Sequence, residues 1–317
     1  PDRATVIKLI VDAGLTVLGV GLSDWDDAAF RKSIEAFDTQ DSGATDAAWR
    51  RLRDQVHYMA GDALDDAFYP ALAKRLKELG NADVAFYLAT ASRLFAPIVE
   101  KLGGAGLLDP ARGQRRIAVE KPFGTDLASA RELNRRILAQ IDESALFRVD
   151  HFLGKETVQN IMVARFANAM IEAVWNRQYV DHVQITVAET VDVGTRGKFF
   201  DATGTLRDMV PNHLFQILAM VAMEPPRRFY AEAIRDEKAR LLRSVRVPSA
   251  PEAETDAVRG VYTAGKVDGR QVGDYVGAKD VDPASTTETF AAFKLLIDKW
   301  RWPGVPFYLR TGKAMTH

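Results

Sequence analysis

Cysteine is absent from all 317 residues. That excludes a disulfide framework, a thiol nucleophile and any Cys-ligated metal centre, and it agrees with a reducing compartment. Net charge is nearly absent as well: 42 Lys and Arg stand against 43 Asp and Glu, a formal balance of −1. So even a balance excludes a general coat for nucleic acid or for a membrane surface, while leaving room for a local basic pocket. Long hydrophobic runs are missing too. The longest, from Leu9 to Leu22, carries Asp12 and three glycines, and is too short and too interrupted to span a bilayer. No charged-then-apolar leader with a small-residue cleavage site opens the sequence. The expectation is a soluble cytoplasmic protein whose partners are neither nucleic acid nor membrane.

What is present is ordinary for a globular chain: 47% apolar and 27% charged residues, with no internal repeat and no low-complexity tract. At roughly 100–200 residues per domain the length predicts two domains. The first half alternates helical and strand patterns. Helices are predicted over residues 3–13, 26–37, 65–79, 92–102 and 126–141, the last with Asp126 as its N-cap. Strands are predicted over 15–21, 55–58, 82–89 and 116–120. From about residue 180 longer strand-like runs take over, at 181–190, 289–300 and 307–310, with helical runs at 155–173, 205–223 and 231–244. Residues 248–282, rich in Gly, Pro and charge, read as a surface excursion. The fold class is α/β followed by α+β. A Rossmann-like dinucleotide-binding domain over 1–147 precedes a larger, mostly antiparallel sheet domain over 148–317, with helices on one face.

Three clusters could carry chemistry. Glu120-Lys121-Pro122-Phe123-Gly124 follows a predicted parallel strand, where ligands of open α/β sheets sit, and its Pro is a candidate for a cis bond. The alternative is a strand-ending turn with a solvated Lys. Arg148 to Glu156 (RVDHFLGKE) offers an orienting carboxylate, an imidazole and cations suited to a phosphate, or else a charged surface cluster. Asp208-Met209-Val210-Pro211-Asn212-His213 opens an apolar helix, where His213 is either a satisfied core residue or a base. Of the other histidines, His57 and His182 lie in or beside strand patterns and read as structural, and His317 ends the chain.

Taken in order, EKPFG, RVDHFLGKE, DMVPNHLFQ, RDEK and GVPFYLRTGK resemble the motifs of glucose-6-phosphate dehydrogenases from about residue 15 onward, with YLAT and TETF adding to the match. The resemblance implies oxidation of the C1 hydroxyl of glucose 6-phosphate, with hydride passing to NADP or NAD. It implies His213 as general base, Asp150 as its orienting partner, and His151 and Lys155 as phosphate ligands. Lys121, Glu189, Asp208 and Lys313 would meet the sugar. Lys121, Pro122, Gly21, Leu22, Ser23 and Thr90 would meet the cofactor. No metal is implied, and a homodimer or homotetramer is expected by analogy.

The same resemblance marks departures. The first strand and Gly-rich turn of the family are expected to be missing from this chain, and the chain is expected to be incomplete at its C-terminal side. Phe152 stands where the family has a phosphate-binding tyrosine, and Pro211 where a non-proline is expected. Neither Leu22 nor Ser23 is the arginine that would pair with a 2′-phosphate. Two other readings stay open: another Rossmann-type sugar oxidoreductase, which would not explain RVDHFLGKE, and a degenerate homologue that binds sugar phosphate or a protein partner without turnover.

Overall fold

The short apolar runs of the first half do become parallel strands. The structure is a computed structural model that describes residues 14–36, 46–80 and 82–316. The helix expected at 3–13 lies outside the described residues. The chain divides into two compact units, Pro1–Val149 and Asp150–His317.

In the first unit β1 (Val17–Gly21) pairs in parallel with β2 (Val56–Ala60). Strands β3 (Val84–Leu88), β4 (Arg115–Val119) and β5 (Leu146–Arg148) form a second parallel ladder in that order. Helices make the crossovers: α1 (Asp27–Ala36) and α2 (Asp46–Asp54) lead to β2. Then α3 (Phe68–Glu78), α4 (Phe95–Gly104) and α5 (Leu127–Leu138) lead to β3, β4 and β5 in turn. Phe95, Val99, Ile117 and Ile137 are buried at the centre, and Leu18 and Met59 of the first ladder pack on the same core. Among the described residues no strand joins the two ladders. Asp126 caps α5 as its sequence requires: its carboxylate accepts the Ser129 amide at 2.7 Å, and the Ser129 hydroxyl accepts the Asp126 amide at 3.0 Å. A boundary after residue 147 would cut β5, since Arg148 pairs with Val119.

Gly124, after β4, has φ of 81°, and a Cβ there would stand 2.5 Å from the Ala130 amide nitrogen. The left-handed backbone alone makes Gly124→Ala cost on the order of 1–2 kcal/mol. Urea denaturation should show a lowered midpoint with an unchanged slope; an unchanged midpoint contradicts this.

The second unit is built on a four-stranded sheet of order β6-β11-β10-β7. It comprises β6 (Val183–Ala188), β7 (Ala257–Gly260), β10 (Phe290–Leu295) and β11 (Phe307–Gly312), with β8 (Gly265–Val267) and β9 (Arg270–Val272) forming a separate hairpin. Only β6–β11 is parallel. Phe307, Leu309 and Thr311 of β11 point inward and Tyr308 and Arg310 outward, so one face carries the core. Packed in that core are Leu214, Leu218, Met223, Leu241 and Trp302.

Several expectations are corrected here. The run 289–300 stops as a strand at Leu295, because Asp298 turns away to pair with Arg246 at 2.8 Å and Trp300 is left 87% exposed. The helix at 155–173 is two, α6 (Glu156–Phe166) and α7 (Ala169–Val174), divided where the Asn168 side chain caps the second. Residues 248–282 are more than a surface excursion. They supply β7, an edge of the main sheet, and Tyr275, which is buried with Val193, Phe200 and Val281.

The helix expected from residue 205 starts earlier, as α8 (Gly197–Met209), and is broken at Gly204 (φ 72°, ψ 164°). It then widens into a π turn, Val210–Leu214, before α9 (Phe215–Ala222). Pro211 has no amide hydrogen to donate in an α-helical ladder, and the Phe215 amide reaches five residues back to the Val210 carbonyl. Helices α10 (Ala231–Leu242) and α11 (Ala250–Asp256) complete the unit. Among the described residues no helix is long and apolar enough to cross a membrane.

Candidate active site

Asp150 lies two residues past the end of β5 and caps a 3-10 turn, His151–Gly154, its carboxylate accepting the Phe152 amide at 3.0 Å. The cap fixes the carboxylate, and the π turn brings His213 to it from the other side. His213 Nδ1 lies 2.7 Å from Asp150 Oδ1, and the imidazole is 1% exposed. Phe152 stacks on that imidazole, with ring centroids 3.9 Å apart and planes inclined by 21°, while the His151 ring stands edge-on to it at 5.0 Å. Lys155 Nζ lies 4.0 Å from the Phe152 ring centre. His151 and Lys155 are both exposed. Four of the residues expected to act together are therefore gathered: a buried acid–imidazole pair, with an exposed imidazole and ammonium beside it.

Burial alone would raise the Asp150 carboxyl, but the hydrogen bond with His213, the Phe152 amide and the neighbouring imidazoles outweigh it and hold it below the ordinary carboxylate value. Asp150 is thus ionised at neutral pH and aimed at Nδ1. Ligand-type atoms of Asp150, His151 and His213 lie within 4.8 Å of one another.

Two more expected residues meet on the same unit. Lys313 is buried just past β11 and its Nζ lies 2.7 Å from Glu189 Oε2, past the end of β6. The parallel β6–β11 register brings the two strand ends side by side. Asp208, half-buried, sits a turn ahead of His213, and its carbonyl accepts the Asn212 amide group at 3.0 Å.

In the first unit the expected residues all follow the carboxyl ends of parallel strands. Gly21, Leu22 and Ser23 come at β1, Thr90 just past β3, and Lys121 and Pro122 past β4, with the Lys121–Pro122 bond cis. Tyr58 Oη donates to the Ser23 carbonyl at 3.0 Å, and a Cβ at Gly21 would stand 2.8 Å from that oxygen. Leu22 is 80% exposed. Tyr87 donates its hydroxyl to Glu120, and its own pKa is pushed up to about 12 by burial and by that carboxylate.

Sequence reasoning missed Lys238. Its ammonium, hydrogen-bonded to Gln216 Oε1 at 3.1 Å, is pushed below the usual lysine value by burial, an effect that Asp150 opposes. The available signal was a Lys on the apolar stripe of α10, between Ile234 and Leu241.

Family models described as "Glucose-6-phosphate dehydrogenase, NAD binding domain" and "Glucose-6-phosphate dehydrogenase, C-terminal domain" match residues 6–160 and 162–317. The glucose-6-phosphate 1-dehydrogenase of Aggregatibacter actinomycetemcomitans is 42% identical over 305 residues, which are 95% of this chain and 62% of that protein. A crystal structure of glucose-6-phosphate 1-dehydrogenase from Mycobacterium avium superposes with a TM-score of 0.82 at 38% identity, over 97% of this chain and 64% of that one. A second solved structure, glucose-6-phosphate dehydrogenase in complex with its substrate glucose-6-phosphate, gives 0.88 at 33% identity, over 98% and 65%. The chain thus spans a little under two thirds of the length of these relatives. Both halves match in order, and the chain belongs to the glucose-6-phosphate dehydrogenase family.

Proposed function

We propose that the whole protein oxidises the C1 hydroxyl of glucose 6-phosphate to 6-phosphogluconolactone, with the hydride leaving C1 for a nicotinamide cofactor. The buried His213–Asp150 pair at 2.7 Å carries this reading. With Nδ1 held against the carboxylate, Nε2 is the nitrogen that acts on substrate. It takes the hydroxyl proton as the C1–O bond becomes a carbonyl, and ionised Asp150 stabilises the imidazolium that results. His151 and Lys155 hold the 6-phosphate through charge-assisted hydrogen bonds. Asp208, Glu189 and Lys313 position sugar hydroxyls, with the Glu189–Lys313 pair holding an acceptor and a donor in a fixed relation. Lys121 is a further contact for the sugar.

Gly21, Leu22, Ser23, Thr90, Lys121 and Pro122 fit a dinucleotide, since each lies at or just past the carboxyl end of a parallel strand, where such ligands bind. The cofactor, when bound, supplies the hydride acceptor. Its 2′ position is where this chain departs from its relatives' expected pattern. Leu22 is exposed and apolar, and exposed Asp24 would repel a phosphate while accepting a ribose hydroxyl. NAD is therefore expected to serve at least as well as NADP. The test is kcat/KM for glucose 6-phosphate oxidation with each cofactor, on wild type and Leu22→Arg. The variant should move the ratio toward NADP. A wild-type NADP preference above ~100-fold, unmoved by Leu22→Arg, means that another arginine holds the phosphate. No turnover with either cofactor overturns the reading as an enzyme.

A further inference from the structure

The helix that carries Asp208 and His213 does not begin where its own sequence can start it. At Gly204 the backbone leaves the helical region, so the next amides have no intrahelical acceptor. Glu288, on the strand-leading segment TETF, answers both. Its carbonyl accepts the Thr205 amide at 3.0 Å, and its side chain Oε1 accepts the Leu206 amide at 3.0 Å. The carboxylate lies so close that a Cβ at Gly204 would stand 2.5 Å from Oε1, so glycine is required there for space as well as for its positive φ. The adjoining Thr289 carbonyl accepts the Lys313 amide at 2.9 Å. One short segment thereby fixes the start of the helix bearing Asp208 and His213 and the loop bearing Lys313.

We propose that Glu288 is a positioning residue for the sugar site, capping from a distant segment the helical run that presents Asp208 and His213. This rests on the reading of those residues as sugar and proton contacts. A neighbouring clamp supplies the control. Asp201, on the helical half before Gly204, accepts the Tyr275 hydroxyl at 2.7 Å and the Ser285 hydroxyl, and holds the same segment without touching the second half.

The experiment compares Glu288→Ala, Glu288→Gln and Asp201→Asn in the whole protein, at a temperature well below each Tm. Glu288→Ala should lower kcat/KM for glucose 6-phosphate on the order of 10-fold or more, since small displacements of reacting groups can cost up to about 100-fold. Glu288→Gln, which keeps an oxygen acceptor at the same reach, should recover most of that. Asp201→Asn should lower Tm and leave the kinetics alone. A second readout is independent of turnover: the downfield Nδ1 proton resonance of His213, assigned by its loss in His213→Gln, should shift or broaden in Glu288→Ala and persist in Glu288→Gln.

Wild-type kinetics and an unmoved resonance in Glu288→Ala overturn the proposal, as does an equal kinetic loss in Asp201→Asn. If Glu288→Ala does not fold, Glu288→Asp, whose arm is one methylene short, takes its place with the same expectations. A wild type that does not oxidise the sugar sinks the functional reading alone, and the resonance still decides the positioning role.

Discussion

Replacing His213 with Asn is expected to lower kcat by at least ~10²-fold, the usual loss when a general base is removed. The side chain is fully buried, stacked on Phe152 and paired with Asp150, so its removal acts on a fixed geometry. Asparagine keeps a polar group facing Asp150, which avoids leaving that carboxylate without a donor. Glucose 6-phosphate affinity should change far less, because the proposed phosphate contacts are His151 and Lys155. A kcat near wild type would remove His213 from the role. A large loss of affinity with kcat preserved would make it a binding residue.

The second large effect concerns phosphate. Lys155→Ala should weaken glucose 6-phosphate by roughly 1.5–3 kcal/mol, the range for a hydrogen bond to a charged group. Free glucose, lacking the dianion, should be almost indifferent. Phe152 raises the stakes: the neutral donor that the family pattern puts at this position is absent, so on the proposed reading the two cations carry more of the recognition. The ring acts otherwise, as a platform between the His213 imidazole and the Lys155 ammonium. Equal losses with both sugars, measured as kcat/KM, would reassign Lys155 to a structural part.

Which parts of this were legible beforehand follows from range. Runs such as VLGVG and VAFYL announce parallel strands locally, although β1 and β3 are largely unburied where burial was expected, and Asp126 with Ser129 announces a helix start within four residues. Asp150, His151, Lys155 and His213 were legible because their motifs are contiguous, although the two halves of the pair meet only in the fold. The break at Gly204 was not, because the group that makes it tolerable lies 82 residues beyond Leu206. The π turn escaped for a subtler reason: Pro211 signals a disturbed helix, not whether the chain kinks, stops or widens. Strand β7 was hidden in a tract whose composition reads as loop, since an edge strand of four residues carries little alternation.

The position of β11 has a temporal consequence. This strand, the last of its sheet in chain order, is interior to it, held in parallel by β6 and antiparallel by β10. Glu189 and Lys313, which close that pairing, are 124 residues apart. During synthesis the earlier strands emerge with no neighbour to join them, and their apolar faces wait in the open or under a chaperone until the last ones leave the ribosome. The first unit, whose ladders pair strands in the order they are made, can condense meanwhile. Folding should therefore be sequential, with the second unit closing after the first and more exposed to proteolysis or misassociation on the way.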